Sequence, residues 1–302
     1  MAVDAVLLLA FGGPTRPEDI RPFLANVTRG RAIPADRLEA VVRHYEDIGG
    51  RSPLNELTFR QAELLRRAVG RLPVYVGMRN WSPYIADTLG RMTMDGVRRA
   101  VAIVLSPHAS EASRERYVDA VDAARAALGA RAPALVYPAS WHVHPRFVAA
   151  SGERVRAAVA TLPAAAQDDA VVVFTAHSIP VASARTSPYE REIEETARAV
   201  AQALGIARWQ VAYQSRSGNP REPWLEPDVN DALRALAATG VRAVVVAPIG
   251  FVCDHVEVLY DLDVAARETA ARLGLAFARA GTVNDHPEFI AMLADVARSA
   301  DG

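Results

Sequence analysis

The 302-residue sequence contains one cysteine, Cys253. A single cysteine excludes an internal disulfide framework, a cysteine-based zinc site and a cysteine-held iron–sulfur cluster within one chain. It fits a reducing compartment. Long apolar runs are also missing. The opening stretch, Met1-Ala-Val-Asp-Ala-Val-Leu-Leu-Leu-Ala10, has an acidic residue and no basic lead, and its apolar run is too short for a signal peptide or a membrane span. It reads as a first strand. No other stretch reaches spanning length, so a soluble, cytoplasmic protein without stable membrane insertion is expected. The formal net charge is −1 and no long basic run exists, which argues against a nucleic-acid partner. The Gly12-Gly13 turn lacks the G-x-G-x-x-G spacing, and neither a G-x-x-x-x-G-K-[ST] loop nor a G-x-S-x-G elbow occurs. Nucleotide-dependent and serine-hydrolase chemistries lose ground accordingly.

What is present is globular: 51% hydrophobic and 23% charged residues, in a chain longer than the usual single domain. The stretch Ala170-Val-Val-Val-Phe-Thr-Ala-His-Ser-Ile-Pro180 is the most telling. It is an apolar run of the kind a buried parallel strand requires, and Pro180 blocks the ladder from continuing. Open α/β sheets bind ligands at the carboxyl ends of strands, which is where His177 falls. Before it, strands are expected at Val6–Phe11, Val74–Met78, Val101–Leu105 and Ala134–Tyr137. Helices are expected at Pro17–Asn26, Ala35–Ile48, from Pro53 to about Gly70 with Ser52 as N-cap, and at Ile85–Met94, Ser110–Leu128 and His144–Thr161. After it come strands at Trp209–Tyr213, Ala243–Pro248 and Leu275–Ala280. Helices follow at Tyr189–Leu204, Asp228–Thr239, Glu257–Leu273 and Pro287–Ser299.

Strands alternating with helices imply parallel sheets covered on both faces. An internal echo supports two such units. Gly96-Val-Arg-Arg-Ala-Val-Ala-Ile-Val-Leu-Ser-Pro-His108 resembles Gly240-Val-Arg-Ala-Val-Val-Val-Ala-Pro-Ile249. The expected fold class is α/β with two Rossmann-like lobes, residues 1–150 and 151–302, and a cleft between them.

His108, His177 and His255 all lie at or just past strand ends. Glu257 sits in an apolar segment, flanked by Val256, Val258 and Leu259, so it is expected to be partnered or functional. Glu257 and Asp261 are four apart and share a helix face, with Glu268 on roughly the same face. An imidazole facing a carboxylate suits a borderline divalent metal held transiently, or proton abstraction. His142-Val-His144 is a weaker metal signal. Arg29, Arg31, Arg43, His44 and Arg51 concentrate positive charge near the helix start at Ser52-Pro53, whose free amides would help hold carboxylates. Phe11, Tyr45, Trp81, Tyr84, Tyr117, Trp141 and Trp224 could line a slot for a large flat apolar ligand.

At these residues the sequence resembles the ferrochelatase family, in its soluble Gram-positive form that metallates coproporphyrin III. The marks are Phe11-Gly-Gly-Pro14, Tyr45-Glu-Asp-Ile-Gly-Gly-Arg-Ser-Pro-Leu54, Leu105-Ser-Pro-His108, Thr175-Ala-His-Ser-Ile-Pro180, Tyr213-Gln-Ser-Arg216, Pro223-Trp-Leu-Glu-Pro-Asp-Val229 and Gly250-Phe-Val-Cys-Asp-His-Val-Glu-Val-Leu-Tyr-Asp261. The resemblance implies that His177 and Glu257 are the catalytic, metal-contacting pair, and that Asp261 lies on an outer path for metal or protons. It implies that Ser52, Tyr117 and Tyr45 bind the substrate's propionates. Phe11 stands where soluble relatives often carry tyrosine, so it should only stack or fill. Arg29 adjoins Thr28, and His44 adjoins Arg43, at basic rim positions.

The implied reaction is insertion of Fe2+ into a free-base porphyrin, releasing two protons, with iron as substrate and no permanent cofactor. Burial is expected to raise the pKa of Glu257. A monomer acting on porphyrin and Fe2+ is expected. Alternatives are a protoporphyrin IX ferrochelatase, a cobalt or nickel chelatase acting on another tetrapyrrole, and a non-enzymatic porphyrin or haem carrier.

Overall fold

The computed structural model describes residues 3–30, 34–217 and 221–300. The chain forms two compact units. One comprises the residues up to Leu105, then Ala112–Ser140, and those from Phe289 onward; the other comprises Ser106–Glu111 and Trp141–Glu288.

The first unit holds four parallel strands, β1 (Ala5–Ala10), β2 (Val74–Met78), β3 (Arg99–Val104) and β4 (Ala134–Val136), in the order β2-β1-β3-β4. Its helices are α1 (Ile20–Val27), α2 (Ala35–Asp47), α3 (Leu54–Val69), α4 (Ile85–Met94) and α5 (Arg116–Leu128), with a π-helical turn at Glu111–Glu115 leading into α5. Alternation along β1 sends Ala5, Leu7 and Leu9 to one face, where they pack with Ile85, Leu89 and Met92 of α4 and Tyr117 and Val121 of α5.

The second unit repeats the plan. Its strands are β5 (Val171–His177), β6 (Trp209–Gln214), β7 (Ala243–Ala247) and β8 (Ala276–Arg279), all parallel and ordered β6-β5-β7-β8. Its helices are α6 (Pro145–Val159), α7 (Ala164–Gln167), α8 (Val181–Arg185), α9 (Tyr189–Leu204), α10 (Val229–Ala238), α11 (Val256–Val258) and α12 (Arg267–Arg272). Between α11 and α12 the backbone is π-helical over Leu259–Ala266. Val172, Phe174 and Ala176 face α6 and α9, against Val155, Ala158, Ile193 and Ala197. Val171 and Val173 face the other way, against Leu233 of α10 and Val258, Leu262 and Ala266.

The two echoed sequence stretches are β3 and β7, the third strand of each sheet, each paired with the first. Each is preceded by a glycine in the left-handed region, Gly96 and Gly240. The expected boundary at 150/151 falls inside α6, whose apolar face belongs to the second unit's core. The helix Pro287–Ser299 supplies Phe289 onward to the first unit, where Arg298 donates to the Ala68 carbonyl near the end of α3. Among the described residues no helix is long and apolar enough to cross a membrane.

Candidate active site

In a sheet ordered 2-1-3-4, ligand chemistry gathers at the carboxyl ends of the first and third strands, where the connections part to opposite sides. In the second unit those strands are β5 and β7. His177 is the last residue of β5. It lies on the same strand face as Val171 and Val173, the face packed by the 256–272 helical segment, so alternation alone aims it at that segment. The segment after β7 reaches it by a close approach at Gly250. The Gly250 N–H donates to the Thr175 carbonyl (3.0 Å), and a Cβ at this position would stand 2.6 Å from the Ala176 Cα. Only glycine fits here without displacing the backbone beside His177.

His255 caps α11: its Nδ1 accepts from the Glu257 N–H at 3.2 Å. The Glu257 carboxylate then stands 3.4 Å from His177 Nε2, with the two side chains 27% and 39% exposed. Gln214, the β6 partner of His177, donates its side-chain amide to the Glu257 carbonyl at 2.6 Å. On the other edge of the imidazole, Nδ1–H donates to the Ser178 carbonyl, which leaves Nε2 directed at the carboxylate. Asp261 lies in the π-helical turn and accepts a hydrogen bond from Ser215 Oγ, a residue in the left-handed region just past β6.

The electrostatics follow from these contacts. Burial works against a charged His177, but attraction to Glu257 and the hydrogen bonds to Glu257 and Ser178 outweigh it, and the imidazole pKa rises. Burial likewise works against a charged Glu257, yet the neighbouring His177, with His255 behind it, brings it down to about 2. This overturns the expectation of a raised pKa at Glu257. The group pushed up is Asp261, to about 7, by burial and by the charge of Glu257, against the Ser215 hydrogen bond. The site therefore sets an imidazole whose charged form is favoured against an ionised carboxylate, beside a carboxyl pushed up to about 7.

Glu257 and Asp261 come together beside His177 as their spacing predicts, but Glu268 does not join them. The π-helical stretch changes the rotation per residue, and Glu268 ends up 67% exposed, paired with Arg272 at 3.0 Å. His108 and the His142–His144 pair also stay out of this site. His108 is buried, its Nε2 within 3.0 Å of Thr196 Oγ1, and burial drops its pKa to about 3. His142 pairs with Glu195 (2.7 Å), and His144 caps α6 by accepting from the Arg146 N–H. No group of three or more His, Cys, Asp or Glu side chains suited to holding a metal occurs among the described residues.

In the first unit Phe11 immediately follows β1, the position that corresponds to Ser178 after β5. It is partly exposed, packs edge-on against Phe23, and carries the Arg79 guanidinium 5.0 Å from its ring centre. The same guanidinium lies 4.9 Å from the ring of Tyr117, which is buried, with its phenol pushed up to about 12. Tyr45 and Trp81 also meet Phe23 edge-on, so Phe23 is the hub of this aromatic group. Neither Phe23 nor Arg79 stood out in the sequence. Ser52 is buried against Gly13 and its Oγ accepts from the Leu54 N–H, so this amide at the start of α3 is already used. Helix α3 starts one residue later than expected, at Leu54. Arg29 is exposed and donates to Asn26 Oδ1 (2.9 Å). His44 is half-buried, which lowers its pKa. Arg31 lies outside the described residues.

The whole fold matches a group of chelatases. The sirohydrochlorin chelatase of Bacillus subtilis, solved in complex with cobalt, superposes with a TM-score of 0.61 over 98% of this chain and 94% of its own, at 11% identity. At that identity the likeness shows a shared architecture. The chain itself belongs to the ferrochelatase family, whose model matches residues 3–301. It is 48% identical over 305 residues to the coproporphyrin III ferrochelatase of Mycolicibacterium smegmatis, covering 98% of this chain and 89% of that protein. It is 46% identical over 310 residues to the protein of the same name from Nocardia farcinica, covering 99% and 88%.

Proposed function

We propose that this chain inserts Fe2+ into coproporphyrin III in haem biosynthesis, using His177 and Glu257 at the centre of the macrocycle. The observation that carries the assignment of residues is the ion pair at 3.4 Å at the end of β5, within a chain of the ferrochelatase family. Coproporphyrin as substrate rests on relatives of that name at 46–49% identity.

Insertion replaces two pyrrole protons by one divalent cation. A site for it must offer a soft enough ligand for iron, take up protons, and release the metal with the product. His177 Nε2 can do the first once its own proton has left, because a metal and a proton compete for the same lone pair. Glu257, held ionised by His177, is ready to accept a proton when the imidazolium deprotonates. Three protons leave in all, two from the pyrroles and one from the imidazolium: Glu257 and ionised Asp261 can take one each, and Glu257, which solvent reaches, can pass protons on to water. With two protein ligands and no closed set, iron remains a passing substrate. No permanent cofactor is called for. Arg29, His44, Tyr45, Ser52 and Tyr117 are assigned to the carboxylates of the porphyrin, and Phe11 to an apolar contact with it. We take the protein to be a cytoplasmic monomer.

The test is anaerobic iron insertion by the purified protein with coproporphyrin III and protoporphyrin IX side by side, for the parent and for His177→Ala. Coproporphyrin turnover should exceed protoporphyrin turnover. The variant should bind porphyrin with little change and turn over none. Near-normal turnover by His177→Ala would remove the residue assignment, and a preference for protoporphyrin would remove the substrate.

A further inference from the structure

The segment that carries Glu257 and Asp261 is anchored at both ends by one arginine from another strand. Arg279 is the last residue of β8 and its side chain is only 12% exposed. Its Nε and Nη2 donate to the two oxygens of Asp263, at 3.0 and 2.5 Å, as a two-pronged fork. Its Nη1 donates to Asp254 Oδ1 at 3.0 Å. Asp254 stands three residues before Glu257, and Asp263 two residues after Asp261. Asp254 is itself fixed from the 282–284 loop. Thr282 Oγ1 donates to Oδ1 (3.2 Å), Asn284 Nδ2 donates to Oδ2 (3.1 Å), and Asn284 Oδ1 accepts the Asp254 N–H (2.9 Å). Asp263 has a longer contact of 3.3 Å with the exposed Arg267.

We propose that Arg279 is a positioning residue for metal insertion: by holding Asp254 and Asp263 it sets where the Glu257 and Asp261 carboxylates stand relative to His177. This rests on the function assigned above to His177 and Glu257. The second half of the stretch between the two anchors, from Leu259, is π-helical and runs on past Asp263 to Ala266, a rare backbone form found chiefly as single turns at functional sites. Its register is decided by outside contacts. Inside the anchors those contacts include the packing of Val258 and Leu262 against the sheet, Gln214 on the Glu257 carbonyl and Ser215 on the Asp261 carboxylate. At the ends they are the three donors of Arg279. A guanidinium is the group suited to the task, because it is planar, always charged and donates to two carboxylates in fixed directions. The chain contains no lysine, so its 34 permanently charged basic side chains are all arginines.

The test compares Arg279→Lys, Asp263→Asn, the double variant and His177→Ala in the full-length protein. Readouts are kcat, KM for Fe2+, porphyrin dissociation constant by fluorescence quenching, and melting temperature. Lysine keeps the charge and loses the fork. Arg279→Lys should hold porphyrin within about twofold while kcat/KM for Fe2+ falls about tenfold, the loss expected when a reacting group is misplaced by a fraction of an ångström. Asp263→Asn should fall in the same direction, and the double variant should be little worse than Arg279→Lys alone, because both break the same contact. If Arg279→Lys cannot be obtained folded, Asp263→Asn carries the test alone. Either variant keeping parental kcat and KM for Fe2+ overturns the proposal. So do losses in the two single variants that simply add, or porphyrin affinity and melting temperature that fall in step with kcat. Turnover retained by His177→Ala would instead mean that the underlying function reading has failed.

Discussion

Replacing Glu257 by glutamine tests the electrostatics of the site most directly. The substitution keeps size and removes charge. In the parent, an anionic oxygen stands 3.4 Å from His177 Nε2. At that separation Coulomb's law gives about 1 kcal/mol in water and about 5 kcal/mol at an effective dielectric of about 20. Solvent reaches 39% of the Glu257 side chain, so the lower end applies. A value of about 1.5 kcal/mol then describes the attraction that the substitution removes. Burial, which already works against the imidazolium, is then opposed only by the Ser178 hydrogen bond and the more distant Asp261. The His177 pKa should fall, from above its ordinary value back towards it or below. The sign extends to stability. A raised histidine pKa contributes folding stability below its unfolded value that is lost as pH rises through the folded value, and the lowered Glu257 contributes stability that is lost as pH falls towards about 2, so Glu257→Gln should lose stability between these limits and little at high pH or in strong acid. The assay is NMR titration of ring-labelled histidine, with the His177 signal identified by its disappearance in His177→Asn. An unchanged or higher His177 pKa in Glu257→Gln would refute the ion pair.

Two further outcomes are expected. Asp261, at about 7, should give kcat an inflection near that pH, rising as the carboxyl ionises to receive protons; Asp261→Asn should lack it, and the same inflection persisting in the variant would assign it elsewhere. Gly250→Ala must push its new Cβ off the Ala176 backbone at 2.6 Å, so it should cost about 1–3 kcal/mol of stability and lower kcat even well below the melting temperature. Parental melting and parental kcat together would show that β5 yields there at no cost.

The sheet plan was legible because buried parallel strands are continuous apolar runs and the turns between them are marked by glycine and proline. His177 was legible for the same reason: it ends such a run. The partnership with Glu257 followed from a carboxylate set among valines and leucine. What stayed hidden is tertiary. Nothing local signals the π-helical turn at Leu259–Ala266, so the α-helical spacing rule placed Glu268 on the wrong side. The direction of the Glu257 shift was misjudged because burial can be read from apolar neighbours, whereas an imidazolium at 3.4 Å comes from a strand eighty positions away. Arg279 was invisible because its partners lie 16 and 25 residues upstream.

The return of the helix beginning at Pro287 to the first unit has a consequence for how the chain acquires its shape. That helix buries Phe289, Ile290, Met292, Leu293, Val296 and Ala297. A ribosome has therefore translated the whole second unit before the first can close its apolar surface. The unit encoded earliest is the one completed latest, and it waits with exposed hydrophobic side chains while its successor folds. Nascent chains stalled before residue 289 are the forms most in need of a chaperone.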